Sequence, residues 1–280
     1  MTTITFKTQP QSTPFPPMLE VWEAADELEE LSGGWLFDHF LPINTDDVHG
    51  PCFEGWTALA FLAGRTRRLR LGLMVSSITY RHPALIANMA ATLDVASGGR
   101  LELGLGAGWF EAEHRAYGLQ FPPVGERLSA LDEACEVIHR LLTEPVVDHE
   151  GRFYTLQQAR CEPKPLQQPR VPLVVGGGGE RRTLRTVARW ADHWNFPGRE
   201  PDELRRKLEI LAGHCAVVGR DPTEIHTSVH LFLDGSTTDL AARSRALVAA
   251  GADELILYLH PPFDVAALRD QAREVADAVT

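Results

Sequence analysis

The chain has 280 residues, 44% of them apolar and 23% charged, and its formal net charge is −11 at pH 7. That length suits one α/β barrel or two smaller domains, and the composition is that of a globular protein with ample core. The acidic balance argues against nucleic acid and against anionic membrane surfaces as partners, but leaves room for a local anion site built from backbone amides.

The N-terminus, MTTITFKTQPQS, lacks the apolar centre of a secretory signal, and no apolar run approaches the about 20 residues that a membrane helix needs. From there, eight short apolar segments read as strands: 4–7, 35–38, 69–75, 101–105, 172–175, 193–196, 226–233 and 254–259. Helical patterns separate them. Leu85, Met89, Leu93 and Ala96 recur at helical spacing, as do Leu128, Leu131, Cys135, Ile138 and Leu142. Further helices are predicted at 18–31, 55–64, 180–191, 202–218, 238–250 and 264–278, with first-turn signals at Asp202, Glu203 and Asp239. The proline-rich stretch 144–171 has no helical period and reads as an irregular insertion or long connection, so one domain over 1–280 suffices. Cys52, Cys135, Cys161 and Cys215 form no C-x-x-C pair and no metal-ligand spacing, which predicts reduced thiols in a cytoplasmic protein.

Alternating strands and helices imply a parallel sheet with right-handed crossovers. Eight such units close into a (β/α)8 TIM barrel, and an open doubly wound sheet is the competing arrangement. In a barrel, function sits where the strands end. Those ends carry Asp38-His39-Phe40, Val75-Ser76-Ser77, Gly104 to Trp109, Gly176 to Gly179, 195–198, 233–235 and His260-Pro261-Pro262. The run GGRLELGLGAG at 98–108 stands out, because a strand ending in glycines allows close approach to its backbone. Gly176 to Gly179 lead from a strand toward Glu180, Arg181 and Arg182, an arrangement suited to binding an anion through backbone amides. Neither glycine run is a nucleotide P-loop, and H-E-x-x-H and G-x-S-x-G are both absent.

The ordered set FDHFLP (37–42), the stretch 72–118, ERLSALDEA (126–134), PLVVGGGG (172–179) and ADHWN (191–195) resembles the bacterial luciferase-like superfamily. Within it, the chain looks most like the oxidoreductases that use the deazaflavin coenzyme F420. The resemblance implies a (β/α)8 barrel with an insertion after the fourth helix, a flavin or deazaflavin at the C-terminal mouth, and a homodimer. It also implies a bulge with a non-prolyl cis peptide at Met74-Val75, under the central ring of the cofactor.

On this reading the catalytic candidates are His39 and Asp38. His39 is either a proton carrier, its ordinary pKa lying near working pH, or a residue that only shapes the pocket; Asp38 is the more structural of the two. Asp38 and His39 are also expected beside the cofactor ring, Met74 and Val75 under it, and Ser76 among the cofactor-binding residues. Gly106, Ala107, Gly108, Gly176, Gly177 and Gly178 are expected along the cofactor's tail. Trp109 and Phe110 are expected to wall the substrate pocket. Trp109 stands where some sugar-phosphate dehydrogenases of the family place a glutamate acid, so a sugar phosphate is a poor substrate candidate. Arg81 pairs with either a cofactor phosphate or a carboxylate. Glu111, Glu113 and His114 read as a solvated helix face. The expected activity is hydride transfer between F420 and a small organic substrate, with a separate reductase as a further partner where the cofactor must arrive reduced. The alternatives are a flavin mononucleotide (FMN) monooxygenase and a flavin-binding protein without turnover. No metal is expected.

Overall fold

The computed structural model describes residues 2–232 and 239–280. Its strands are β1 (Thr3–Thr8), β2 (Gly33–Leu36), β3 (Arg70–Leu73), β4 (Ser76–Ser77), β5 (Leu101–Gly106), β6 (Val147–Glu150), β7 (Thr155–Ala159), β8 (Leu173–Gly176), β9 (His193–Phe196), β10 (His226–Phe232) and β11 (Glu254–Leu259). All pairings except that of β6 with β7 are parallel. The order β3-β2-β1-β11-β10-β9-β8-β5 is closed by direct pairing of β3 with β5, so the sheet is a barrel with no edge. The short β4 continues β3 along β5, with Ser76 opposite Leu105.

Around the barrel lie α1 (Phe15–Asp26), α2 (Gly55–Arg65), α3 (Pro83–Ser97), α4 (Glu111–Ala116), α5 (Val124–Thr143), α6 (Thr183–Trp190), α7 (Pro201–Val218), α8 (Leu240–Ala249) and α9 (Val265–Val279). Local chemistry sets their ends. Glu54 caps α2 by accepting from the amides of Trp56 and Thr57. Pro83 opens α3 at a position where its missing N–H costs nothing, and the helix ends on left-handed Gly98. Asp239 caps α8 and Asp264 caps α9.

Three expectations need correction. On α3 the buried face is Ile86, Ala87, Ala90, Leu93 and Ser97, while Leu85 and Ala96 face outward. An alanine-rich helix offers two apolar faces of similar strength, so spacing alone picks neither. The stretch 144–171 is not wholly irregular, because β6 and β7 form an antiparallel hairpin within it, tied to α5 by Glu133, which accepts from the amides of Phe153 and Tyr154. α6 starts at Thr183 rather than Glu180, since the glycine turn extends further than the sequence suggested. The expected strand end at 233–235 and helix start at 238 lie outside the described residues.

Most of the core lies between strands and helices, as in Leu36, Leu59, Leu71, Leu131, Ile138 and Leu173. Inside the barrel the apolar layer is thin: Trp35, Met74, Val174 and Ile256, with Val75 against them. Strand alternation explains the rest of the interior. Thr5 and Lys7, Glu254 and Tyr258, and His226 and His230 are inward-facing pairs along β1, β11 and β10; the first of each pair lines a cavity at the strand starts and the second a cavity at the strand ends.

Candidate active site

The cavity at the C-terminal mouth has a volume of about 570 Å³, well within the about 300–1,000 Å³ of small-molecule and cofactor sites. Lys7, Asn195, His230 and Tyr258 contribute to its wall from the strands, Met74 from the segment between β3 and β4, and His39 and Trp109 from the loops above them. The Met74-Val75 peptide is cis. It lies between β3 and β4 and presents both residues to the cavity.

The glycines at the strand ends make room for this ridge. A Cβ on Gly104 would stand 1.9 Å from the carbonyl oxygen of Leu73, one on Gly106 would stand 2.6 Å from Val75, and one on Gly176 would stand 3.1 Å from Val75. The close approach that the sequence announced is therefore made first by the chain from Leu73 to Val75.

His39 sits at the end of β2 with its side chain largely buried, and its Nδ1 is 2.9 Å from Glu113 Oε2. Glu113 comes from the short α4 and is fully buried. Its carboxylate also accepts from the amides of Phe40 and Leu41 and from the Tyr80 hydroxyl. Burial pushes the Glu113 pKa up, but hydrogen bonds from His39, Tyr80 and Leu41 outweigh it and hold the carboxyl below its ordinary value. An ionised Glu113 favours the His39 tautomer that carries its proton on Nδ1. The rings of Phe37 and Trp109 meet His39 edge-on at 5.2 and 5.5 Å and fix its plane.

Beside it, Arg81 bridges Asp38 at 2.6 Å and Glu54 at 2.5 Å. Asp38 is buried, and its desolvation exceeds the stabilisation by Arg81, so its pKa is raised. Lys7 is buried too and donates to the carbonyl of Met74 at 2.9 Å. Desolvation lowers its pKa to about 7. His230 is held neutral by burial, with Lys7 and Arg199 adding to the effect. Two buried polar atoms on this wall, Asp38 Oδ1 and His230 Nε2, have no hydrogen-bond partner in the structure. The cavity thus combines an apolar ridge, glycine-lined backbone and unsatisfied polar atoms, which fits a flat ring system with a polar edge.

Of the residues singled out from sequence, Asp38, His39, Met74, Val75, Gly106, Ala107, Gly108, Trp109, Gly176 and Gly177 line this cavity. Three expected residues lie off its wall. Ser76 is buried behind it and accepts from the Trp56 indole at 2.9 Å. Gly178 turns its carbonyl to Lys207 Nζ at 2.7 Å. Phe110 packs on Trp109 and against the His39 ring. Arg81 pairs with carboxylates, and Arg182 donates to the carbonyl of Gly125 rather than standing ready for an anion. Glu113 and His114 correct the solvated-face reading: both are fully buried. His114 is locked between the Thr79 hydroxyl at 2.6 Å and the Phe110 carbonyl at 2.8 Å. A helix of one and a half turns is too short for its periodicity to reveal a buried face, so the adjacent Tyr117 and Phe121 were the only available hint. Asn195 lies in the strand end 195–198 that the sequence marked, whereas Lys7, His230 and Tyr258 were missed because each sits inside a strand that reads as ordinary sheet.

The sequence matches the family model described as luciferase-like monooxygenase over residues 1–278, and the chain belongs to that family. An uncharacterized protein of Mycobacterium tuberculosis is 32% identical over 214 residues, 76% of this chain and 70% of that protein. An F420-dependent glucose-6-phosphate dehydrogenase of Kineococcus radiotolerans is 39% identical over 155 residues, 55% of this chain but 44% of that enzyme. Among solved structures, an F420-dependent secondary alcohol dehydrogenase in complex with an F420-acetone adduct superposes with a TM-score of 0.86 at 20% identity, covering 100% of this chain and 99% of that one. No helix among the described residues is long and apolar enough to cross a membrane.

Proposed function

We propose that the protein is an F420-dependent oxidoreductase that moves a hydride between the deazaflavin and a small, largely apolar alcohol or carbonyl compound. The observation that carries this reading is the His39–Glu113 pair, set at the cavity mouth beside the Met74-Val75 ridge. When bound, the deazaflavin supplies the hydride acceptor or donor. The Met74-Val75 ridge would support its ring, and the backbone at Gly106 to Gly108 and Gly176 to Gly177 would hold its tail. In the oxidising direction His39 Nε2 takes the substrate hydroxyl proton as the carbon gives up its hydride, and in the reducing direction it returns that proton. Glu113 fixes the His39 tautomer and stabilises the imidazolium. Trp109 closes the outer wall with an apolar surface where a sugar-phosphate enzyme needs an acid. The reading includes a homodimer and a separate reductase where the cofactor must arrive reduced.

The test is titration of the purified protein with F420 and with FMN, following tryptophan fluorescence, since Trp109 lines the cavity and is 57% exposed. Tight binding of F420 in preference to FMN is the expected result. Preference for FMN overturns the proposal in favour of an oxygen-using monooxygenase, and binding of neither overturns the cofactor assignment. In the F420 complex, His39→Gln retains cofactor affinity and lowers substrate turnover by about 10²–10⁴-fold; undiminished turnover removes His39 from the mechanism.

A further inference from the structure

At the opposite end of the barrel, the first residues of three adjacent strands converge. His193 opens β9, His226 opens β10 and Glu254 opens β11, with His226 and His193 in register across their strands. One donor atom from each lies within 4.8 Å of the other two. His226 Nε2 is 3.2 Å and His193 Nε2 is 3.9 Å from Glu254 Oε2. Ligand atoms at about 2.0–2.1 Å from a tetrahedral zinc ion stand about 3.3 Å apart, so this spacing needs only small side-chain adjustments.

The surroundings prepare these atoms as ligands. His193 is 2% exposed, yet its Nε2 has no hydrogen-bond partner. Its other nitrogen, Nδ1, lies 3.1 Å from Glu102 Oε2, and Arg70 anchors Glu102 from the far side at 2.6 Å. A carboxylate on Nδ1 holds the proton there and presents the Nε2 lone pair, as in the carboxylate–histidine–metal arrangement of bound zinc. Glu254 is positioned similarly, its Oε1 accepting from the Thr5 hydroxyl at 2.5 Å and the Trp35 indole at 3.2 Å. This leaves Oε2 for the shared centre. A cavity of about 310 Å³ opens onto the three residues and gives solvent access to a fourth ligand position.

We propose that His193, His226 and Glu254 form a binding site for a divalent first-row transition metal, zinc in particular, at the N-terminal end of the barrel. Two imidazoles and one carboxylate suit zinc, with water completing the tetrahedron. Calcium and magnesium, which prefer oxygen ligands, fit poorly. The ion would pin the starts of β9, β10 and β11 together. Its place away from the mouth gives it a structural part, in keeping with the stabilising character of that face in barrels.

The test uses the full chain, purified without a histidine tag and stripped with chelator. Zn²⁺ binding is measured by calorimetry, and Co²⁺ binding by its visible ligand-field absorption. The expected result is one ion per chain, with strong Co²⁺ bands of four- or five-coordinate geometry. His226→Gln, the half-exposed position, is expected to weaken binding at least about tenfold, and Glu102→Gln to weaken it about 10–100-fold by releasing the His193 tautomer. His49→Gln, an exposed histidine elsewhere, is expected to change nothing. Circular dichroism of each metal-free variant checks that it folds. Absence of stoichiometric binding, or binding that survives both His226→Gln and Glu102→Gln in folded protein, overturns the proposal.

Discussion

Replacing Lys7 with methionine should stabilise the protein at neutral pH, by an amount that fades as the solution becomes alkaline. Burial depresses the Lys7 pKa from 10.5 to about 7. Between those values the unfolded chain binds more protons than the folded one, so stability rises with pH across the window and is lost as pH falls toward 7. The linkage cost of the lysine is then about 4 kcal/mol at pH 7 and about 2 kcal/mol at pH 9. Methionine keeps the unbranched stem but withdraws the donor from the Met74 carbonyl, at about 1–3 kcal/mol. Lys7→Met is therefore expected to be about 1–3 kcal/mol more stable than wild type at pH 7, and close to equal at pH 9. Urea unfolding of both proteins at pH 7, 8 and 9 checks this, and the difference between them cancels other titrating groups. A difference that stays constant across that range would refute the buried, neutralised lysine.

Arg81→Met strands Asp38 in the wall without its partner and should cost about 3–5 kcal/mol in urea unfolding, and adding Asp38→Asn should restore most of it; an additive double variant would disprove the pairing. Gly104→Ala drives a methyl into the Leu73 carbonyl and should leave little folded protein on expression, whereas Gly118→Ala, which meets no neighbouring atom but sits at φ +66°, should fold with only a modest drop in melting temperature.

The eight barrel strands were legible because strands buried on both faces read as short apolar runs, and their glycine-rich ends marked the mouth. The His39 position was equally plain at the end of such a run. What the sequence hid was the partner of His39. Glu113 lies 74 positions away on α4, among exposed charges such as Glu111 and Arg115, and nothing local separates a buried glutamate from a solvated one. Lys7 was hidden for a related reason: a lysine closing a short strand ordinarily reaches solvent, and only barrel closure turns it inward. The glycines were correctly read as a place of close approach, but the closest body proved to be Leu73 at the end of β3 and Val75 just beyond it. The β6–β7 hairpin was obscured by the prolines around it.

The thin apolar layer of Trp35, Met74, Val174 and Ile256 separates two ionisable compartments. It acts as an insulating septum, with Lys7, Asp38 and His230 on one side and Glu102, His193 and Glu254 on the other. A plane of apolar side chains offers no chain of hydrogen-bonding groups to relay a proton, and as a low-dielectric medium it screens charge weakly. A change of charge in the lower chamber should therefore be felt at the mouth as an electrostatic field even though no proton passes between the two ends of the barrel.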